Sequence, residues 1–180
     1  MSRALIVIDV QESFRQRPSW AAVSTPDIVE RTNRLVEWFR ASGDLVVWVL
    51  HTEPGTGGPF DPVSGYVRLM PGLKTLDDEP VITKTSVNAF TTTNLQQLLT
   101  SRGIRELWVC GIQTEQCCET TTRVASDLGY DVTFVIDATA TFPIPHRDPA
   151  VDRPLSTKDI MERTEYALAG RFATIAYLDS

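Results

Sequence analysis

The chain has 180 residues, 42% of them apolar and 22% charged, the balance of one globular domain with a sizeable core. Its net charge of −6 argues against nucleic acid or an anionic membrane as a partner. No apolar run approaches the ~18 residues of a membrane span. The run at 4–8 is too short for a signal-peptide core, and three cysteines, two of them adjacent, make no disulfide framework, so a reduced, cytoplasmic setting is expected.

Residues 4–8 are continuously apolar and rich in β-branched types, the pattern of a strand buried on both faces of a parallel sheet. The strand ends at Asp9, followed by Gln11 and Phe14. Thr25-Pro26 opens a helix with proline at its first position. Ile28, Thr32, Leu35, Val36 and Phe39 recur at helical spacing, and Ser42-Gly43 ends it. A second apolar strand, 45–50, leads into His51-Thr52-Glu53. Residues 54–80 are punctuated by proline and glycine and read as a long loop, a length that often shapes a site. A short strand at 81–83 ends at Lys84, and 94–102 is a helix with Leu95, Leu98 and Leu99 inward. Strand four, 107–110, precedes a helix at 119–128 in which Glu119 and Arg123 form an exposed pair. Strand five, 132–136, runs into a second proline-bearing loop at 138–155. A helix opened by Ser156 and a sixth strand at 173–178 follow. Strands alternating with helices predict a single three-layer α/β domain over 1–180 with a parallel sheet.

Ligands of such sheets bind beyond the carboxyl ends of the strands. Asp9 ends strand one, Lys84 ends strand three and Cys117 follows strand four, so three reactive side chains reach one sheet edge. With Thr114 as N-cap, Cys117 falls in the first helical turn, where free N–H groups and the helix dipole favour an anion and lower a thiol pKa. Taken alone, each residue has a simpler role: Asp9 in a turn, Lys84 in solvent, Cys117 in packing. Together they suit acyl transfer to water through a thioester. A thiolate attacks a carbonyl, a carboxylate takes the thiol proton and returns it to the leaving amine, an ammonium steadies the charge, and backbone N–H groups hold the oxyanion. Cys118 and Cys110 read as packing.

The first strand ending Asp9-x-Gln11-x-x-Phe14, the strand ending in Lys84, Gly111-Ile112-x-Thr114-x-x-Cys117 and the helix ending Asp127-x-Gly129-Tyr130 resemble the isochorismatase-like cysteine hydrolase superfamily, over Leu5 to about Leu178. Its members include nicotinamidases and N-carbamoylsarcosine amidohydrolase. The resemblance implies a Rossmann-like, six-stranded parallel sheet in the order 3-2-1-4-5-6. It implies cleavage of a C–N bond in a small amide, ureido or carbamoyl compound, with Asp9 as proton-transfer base, Lys84 as electrostatic support and Cys117 as nucleophile. It also implies a cis peptide at Ile112-Gln113 that aims the Gln113 N–H, with that of Cys117, at the oxyanion, and a homo-oligomer, dimer or tetramer. Gln11 and Phe14 are candidate substrate-binding residues. Phe60, Tyr66, Phe142, Arg68 and Arg147 are weaker loop candidates.

The departures are informative. Nicotinamidases carry Asp-x-His after strand two and two further histidines for a metal. Here that stretch is His51-Thr52-Glu53 and the only other histidine is His146, so neither metal nor cofactor is expected. Two alternatives stay open. One is an isochorismatase-type hydrolase of another bond that uses Asp9 without the cysteine; the other is a thiol redox or binding protein.

Overall fold

β1 (Arg3–Ile8) forms the middle of the sheet, because five successive apolar residues satisfy burial on both of its faces. It pairs in parallel with β2 (Leu45–His51) on one side and β4 (Glu106–Ile112) on the other. With β3 (Val81–Lys84), β5 (Asp131–Ala140) and β6 (Thr174–Ala176), the six-stranded parallel order is β3-β2-β1-β4-β5-β6. This computed structural model describes residues 3–178. Alternation along each strand divides the core in two. Leu5, Val7, Val46 and Trp48 pack with Ile28, Leu35, Val36 and Phe39 of α2. Ile6, Ile8, Val47 and Val109 pack on the other face with Leu95, Leu99, Ala125 and Leu168. The helices are α1 (Glu12–Arg15), α2 (Ile28–Ala41), α3 (Leu95–Ser101), α4 (Glu119–Asp127) and α5 (Thr157–Leu168). None among the described residues is long and apolar enough to cross a membrane.

Several boundaries differ from the sequence expectation, each for a local reason. α2 begins at Ile28 rather than at Thr25-Pro26, because the Thr25 hydroxyl donates to the Thr139 carbonyl (2.7 Å) and ties that segment to β5. β5 continues to Ala140, past a register shift opposite Val109 and Gly111, so the second loop starts later than 138. The four-residue α1 carries no periodic signal. Glu119 is buried: its carboxylate accepts from Arg123 (2.8 Å), Arg163 and the Thr164 hydroxyl (3.2 Å), joining α4 to α5.

The 54–80 segment remains a loop, with one 3-10 turn at Pro62–Ser64, but it is well anchored. Glu79 accepts from the Trp48 indole (2.7 Å) and from Arg40 (2.6 Å), and the Asp61 carboxylate accepts the Gly57 and Val63 N–H groups. Met70 donates to the Val10 carbonyl and Glu12 to that of Arg68, so the loop lies against the chain leaving β1.

Candidate active site

Asp9 is the residue at which β1 stops. Its φ of 53° lies in the left-handed region, its N–H donates to Val49 (2.9 Å), and its carbonyl accepts from Gln11 (2.8 Å). Gly111 of β4 sits opposite Ile8 so closely that a Cβ there would lie 1.9 Å from the Ile8 carbonyl oxygen. This approach brings the ends of β1 and β4 together. Beyond β4 the Ile112–Gln113 peptide is cis, and a π-helical turn, Thr114–Cys118, leads into α4. Thr114 is not the cap: Gln113 holds that position, and the Thr114 hydroxyl pairs with that of Thr139 at 2.8 Å. Cys117 still lies in the first turn.

Lys84 reaches the same point from the edge strand and is fully buried there, as is Asp9. Its Nζ lies 2.8 Å from Asp9 Oδ2, 3.2 Å from the Ser86 carbonyl, 3.3 Å from His51 Nδ1 and 3.4 Å from Cys117 Sγ. Among the described residues, neither Asp9 oxygen receives a hydrogen bond of good geometry; Lys84 holds the carboxylate by charge. Burial raises the Asp9 pKa above its ordinary value despite Lys84. Burial alone would lower Lys84, but Asp9 and Cys117 outweigh it and hold the ammonium above its usual range. The Cys117 thiol is pushed up to about 12, first by burial and then by the Asp9 carboxylate, with Lys84 pulling the other way. The lowering of the thiol pKa expected from the start of a helix is thus opposed by burial and by Asp9. Desolvation and a like charge exceed what the start of a helix provides.

Gln11 and Phe14, the candidate substrate-binding residues, are both buried beyond the end of β1. Gln11 is fully buried, and its amide is committed to protein: Oε1 accepts the His51 N–H (2.7 Å), while Nε2 donates to the His51 carbonyl (3.0 Å) and Ser13 (2.8 Å). It splices the end of β1 to the end of β2. Phe14 meets Phe60 edge-on at 4.9 Å and stacks on Phe142 at 5.9 Å, so one residue from each long loop converges on it. Tyr66 and Arg147 are exposed, and so is Arg68, which donates to the Gly65 carbonyl. The Gln113 side chain turns toward Glu115 (3.4 Å), which also accepts from Thr141 (2.6 Å).

Sequence reasoning left His51 without a role at the triad. The parallel register sets it directly across from Lys84, so both side chains leave the same face of the sheet. Its Nε2 lies 3.4 Å from Glu53 Oε1, and its pKa is lowered by burial and by Lys84. The available signal was a histidine closing β2 beside a lysine closing β3, legible only once the pairing is known. His146 lies in the second loop, where its Nδ1 accepts the Asp148 N–H at 3.1 Å.

Residues 3–158 match the family model described as the isochorismatase domain. The chain belongs to the isochorismatase family. It is similar to streptothricin hydrolase of Streptomyces noursei, 39% identical over 147 residues, covering 79% of this chain and 56% of that protein. It is also similar to nicotinamidase 3 of Arabidopsis thaliana, 36% identical over 149 residues, covering 77% and 73%. The crystal structure of an isochorismatase from Pseudomonas putida KT2440 superposes with a TM-score of 0.88 at 33% identity, covering 98% of this chain and 88% of the other. As an isochorismatase-family hydrolase, the protein carries Asp9, Lys84 and Cys117 at the sheet edge where α/β enzymes bind their ligands.

Proposed function

We propose that the protein is a cysteine-dependent amidohydrolase that cleaves a C–N bond of a small amide, ureido or carbamoyl compound through a thioester on Cys117. The observation that carries this reading is the cluster itself: the partly exposed Cys117 thiol beside the buried Asp9 carboxyl, both within reach of the one buried Lys84 ammonium. As Cys117 Sγ bonds to the substrate carbonyl carbon, its proton passes to Asp9. The carbonyl oxygen takes up the negative charge and is met by the N–H groups of Gln113 and Cys117. The neighbouring Gln116 and Cys118 N–H groups are engaged by the Gln113 carbonyl, at 3.2 and 3.1 Å. The C–N bond then breaks and Asp9 gives its proton to the leaving nitrogen. A water attacks the thioester while Asp9 takes its proton, and collapse releases the acid and returns the proton to sulfur. Lys84 stays protonated throughout and offsets whichever of Asp9 and Cys117 is charged. Similarity to a nicotinamidase and to streptothricin hydrolase supports C–N cleavage as the bond class.

The test is ammonia release from a panel of small amides, ureas and carbamoyl amino acids, with and without chelator, for the wild type and Cys117→Ala. Chelator-insensitive release that falls by about 10³-fold or more in the variant is expected for loss of a covalent nucleophile. Release that survives the substitution would move the chemistry to Asp9 alone and overturn the reading.

A further inference from the structure

We propose that His51, with Glu53 behind it, is a positioning residue that directs the Lys84 ammonium onto Cys117. The proposal rests on the cysteine-dependent reading of the site. An ammonium has three hydrogens, and Lys84 Nζ has four polar neighbours: Asp9 at 2.8 Å, the Ser86 carbonyl at 3.2 Å, His51 Nδ1 at 3.3 Å and Cys117 Sγ at 3.4 Å. The Ser86 carbonyl and His51 Nδ1 are fixed acceptors on either side. With two hydrogens held there, the third is left for the place where the charge alternates between Asp9 and sulfur. Without the His51 acceptor, the hydrogen it held is free to turn to the Asp9 carboxylate 2.8 Å away. The flexible lysine head then swings toward that charge, and its hold on sulfur, the weakest acceptor, gives way before the others.

His51 can accept at Nδ1 only while its proton is on Nε2. That atom faces Glu53 Oε1 at 3.4 Å, so the carboxylate selects the tautomer. The His51 backbone N–H and carbonyl are both bound by the Gln11 amide, and the Phe60 ring lies 5.8 Å from the imidazole, tilted by 59°. The charged groups facing it are Lys84, Asp9 and Glu53, and their balance with burial lowers its pKa, which keeps the imidazole neutral beside the ammonium.

The test uses iodoacetamide as the probe of Cys117, read by peptide mass at pH 8, alongside hydrolysis of whichever panel compound the wild type cleaves. His51→Phe keeps the ring volume but removes the acceptor; His51→Asn places an amide oxygen near the Nδ1 position. His51→Phe is expected to slow Cys117 alkylation about 10-fold and kcat about 10²-fold with KM within about 3-fold, the pattern of an interaction made in the transition state alone. His51→Asn should recover at least half of the deficit in alkylation rate on a logarithmic scale. Glu53→Ala, which frees the tautomer, should slow both readouts about 3- to 10-fold, and it decides the matter if His51→Phe does not fold. Equal losses in His51→Phe and His51→Asn, or wild-type rates in Glu53→Ala, would overturn the proposal. Because alkylation needs no substrate, such a failure is separable from that of the amidohydrolase reading, which falls only if Cys117→Ala retains activity.

Discussion

At the scale of single residues, Cys117 sits between two groups that pull its proton in opposite directions. Burial and the Asp9 carboxylate push the thiol up to about 12, and Lys84 draws it down. Asp9→Asn removes the opposing charge and leaves the ammonium, so the thiol should ionise at lower pH while the base is gone. The expected outcome is hydrolysis reduced by about 10² to 10⁴-fold together with faster iodoacetamide alkylation at pH 8. Lys84→Met should slow both. Alkylation that slows in Asp9→Asn at every pH would mean that the carboxylate favours the reactive form of the resting thiol. These residues were legible in sequence because each ends or follows a strand on one sheet edge. Gln11 and His51 were not, because their partners lie 40 and 33 residues away and are set by cross-strand register. Nor did the helix-dipole argument include what pushes the thiol up, which is burial first and then a carboxylate from another strand.

Among the elements, β4 and the turn after it carry the most constraint. Gly111 has φ 130° and no room for a side chain, since a Cβ would meet the Ile8 backbone. Gly111→Ala must therefore drive β4 from β1 at the point where Asp9 and the Cys117 turn meet. A loss of about 3 kcal/mol or more is expected in urea unfolding, with the midpoint shifted and the slope unchanged, and activity should fall with it. A variant within about 0.5 kcal/mol of the wild type would show that the two strand ends can separate freely. The elements were easily read where a long period dominates, as in α2, and poorly where tertiary contacts set the ends. Thr25 bonds to β5 instead of opening α2, and β5 runs on past a bulge to Ala140. Glu119 looked like an exposed helix-pair residue because Arg163, which draws it inward, lies 44 positions away on α5.

For the whole molecule, strand alternation made the layered parallel fold legible, and the motif resemblance supplied the strand order. The paths of the two long loops were not legible, because they depend on side-chain anchors such as Glu79 and Asp61 instead of on periodicity. The fold also carries a cost at its centre, since Asp9 and Lys84 are both fully buried. Lys84→Met leaves an unpaired carboxylate and should destabilise by about 3–5 kcal/mol at pH 7, whereas the double variant Asp9→Asn/Lys84→Met should match or exceed the wild type by up to about 4 kcal/mol. The pH dependence of the single variant follows from the raised Asp9 pKa, which loses its main opposing influence when Lys84 is removed. The folded chain then binds a proton at a pH where the unfolded chain does not. Stability therefore rises as pH falls through the folded pKa, and the gain is complete once pH drops below the ordinary carboxylate value of the unfolded chain. Thermal unfolding of Lys84→Met should accordingly approach that of the double variant between pH 7 and pH ~4. A gap between the two that stays constant over that range would mean that Asp9 binds no extra proton in the folded single variant, so that burial does not hold its carboxyl above the ordinary value once Lys84 is gone.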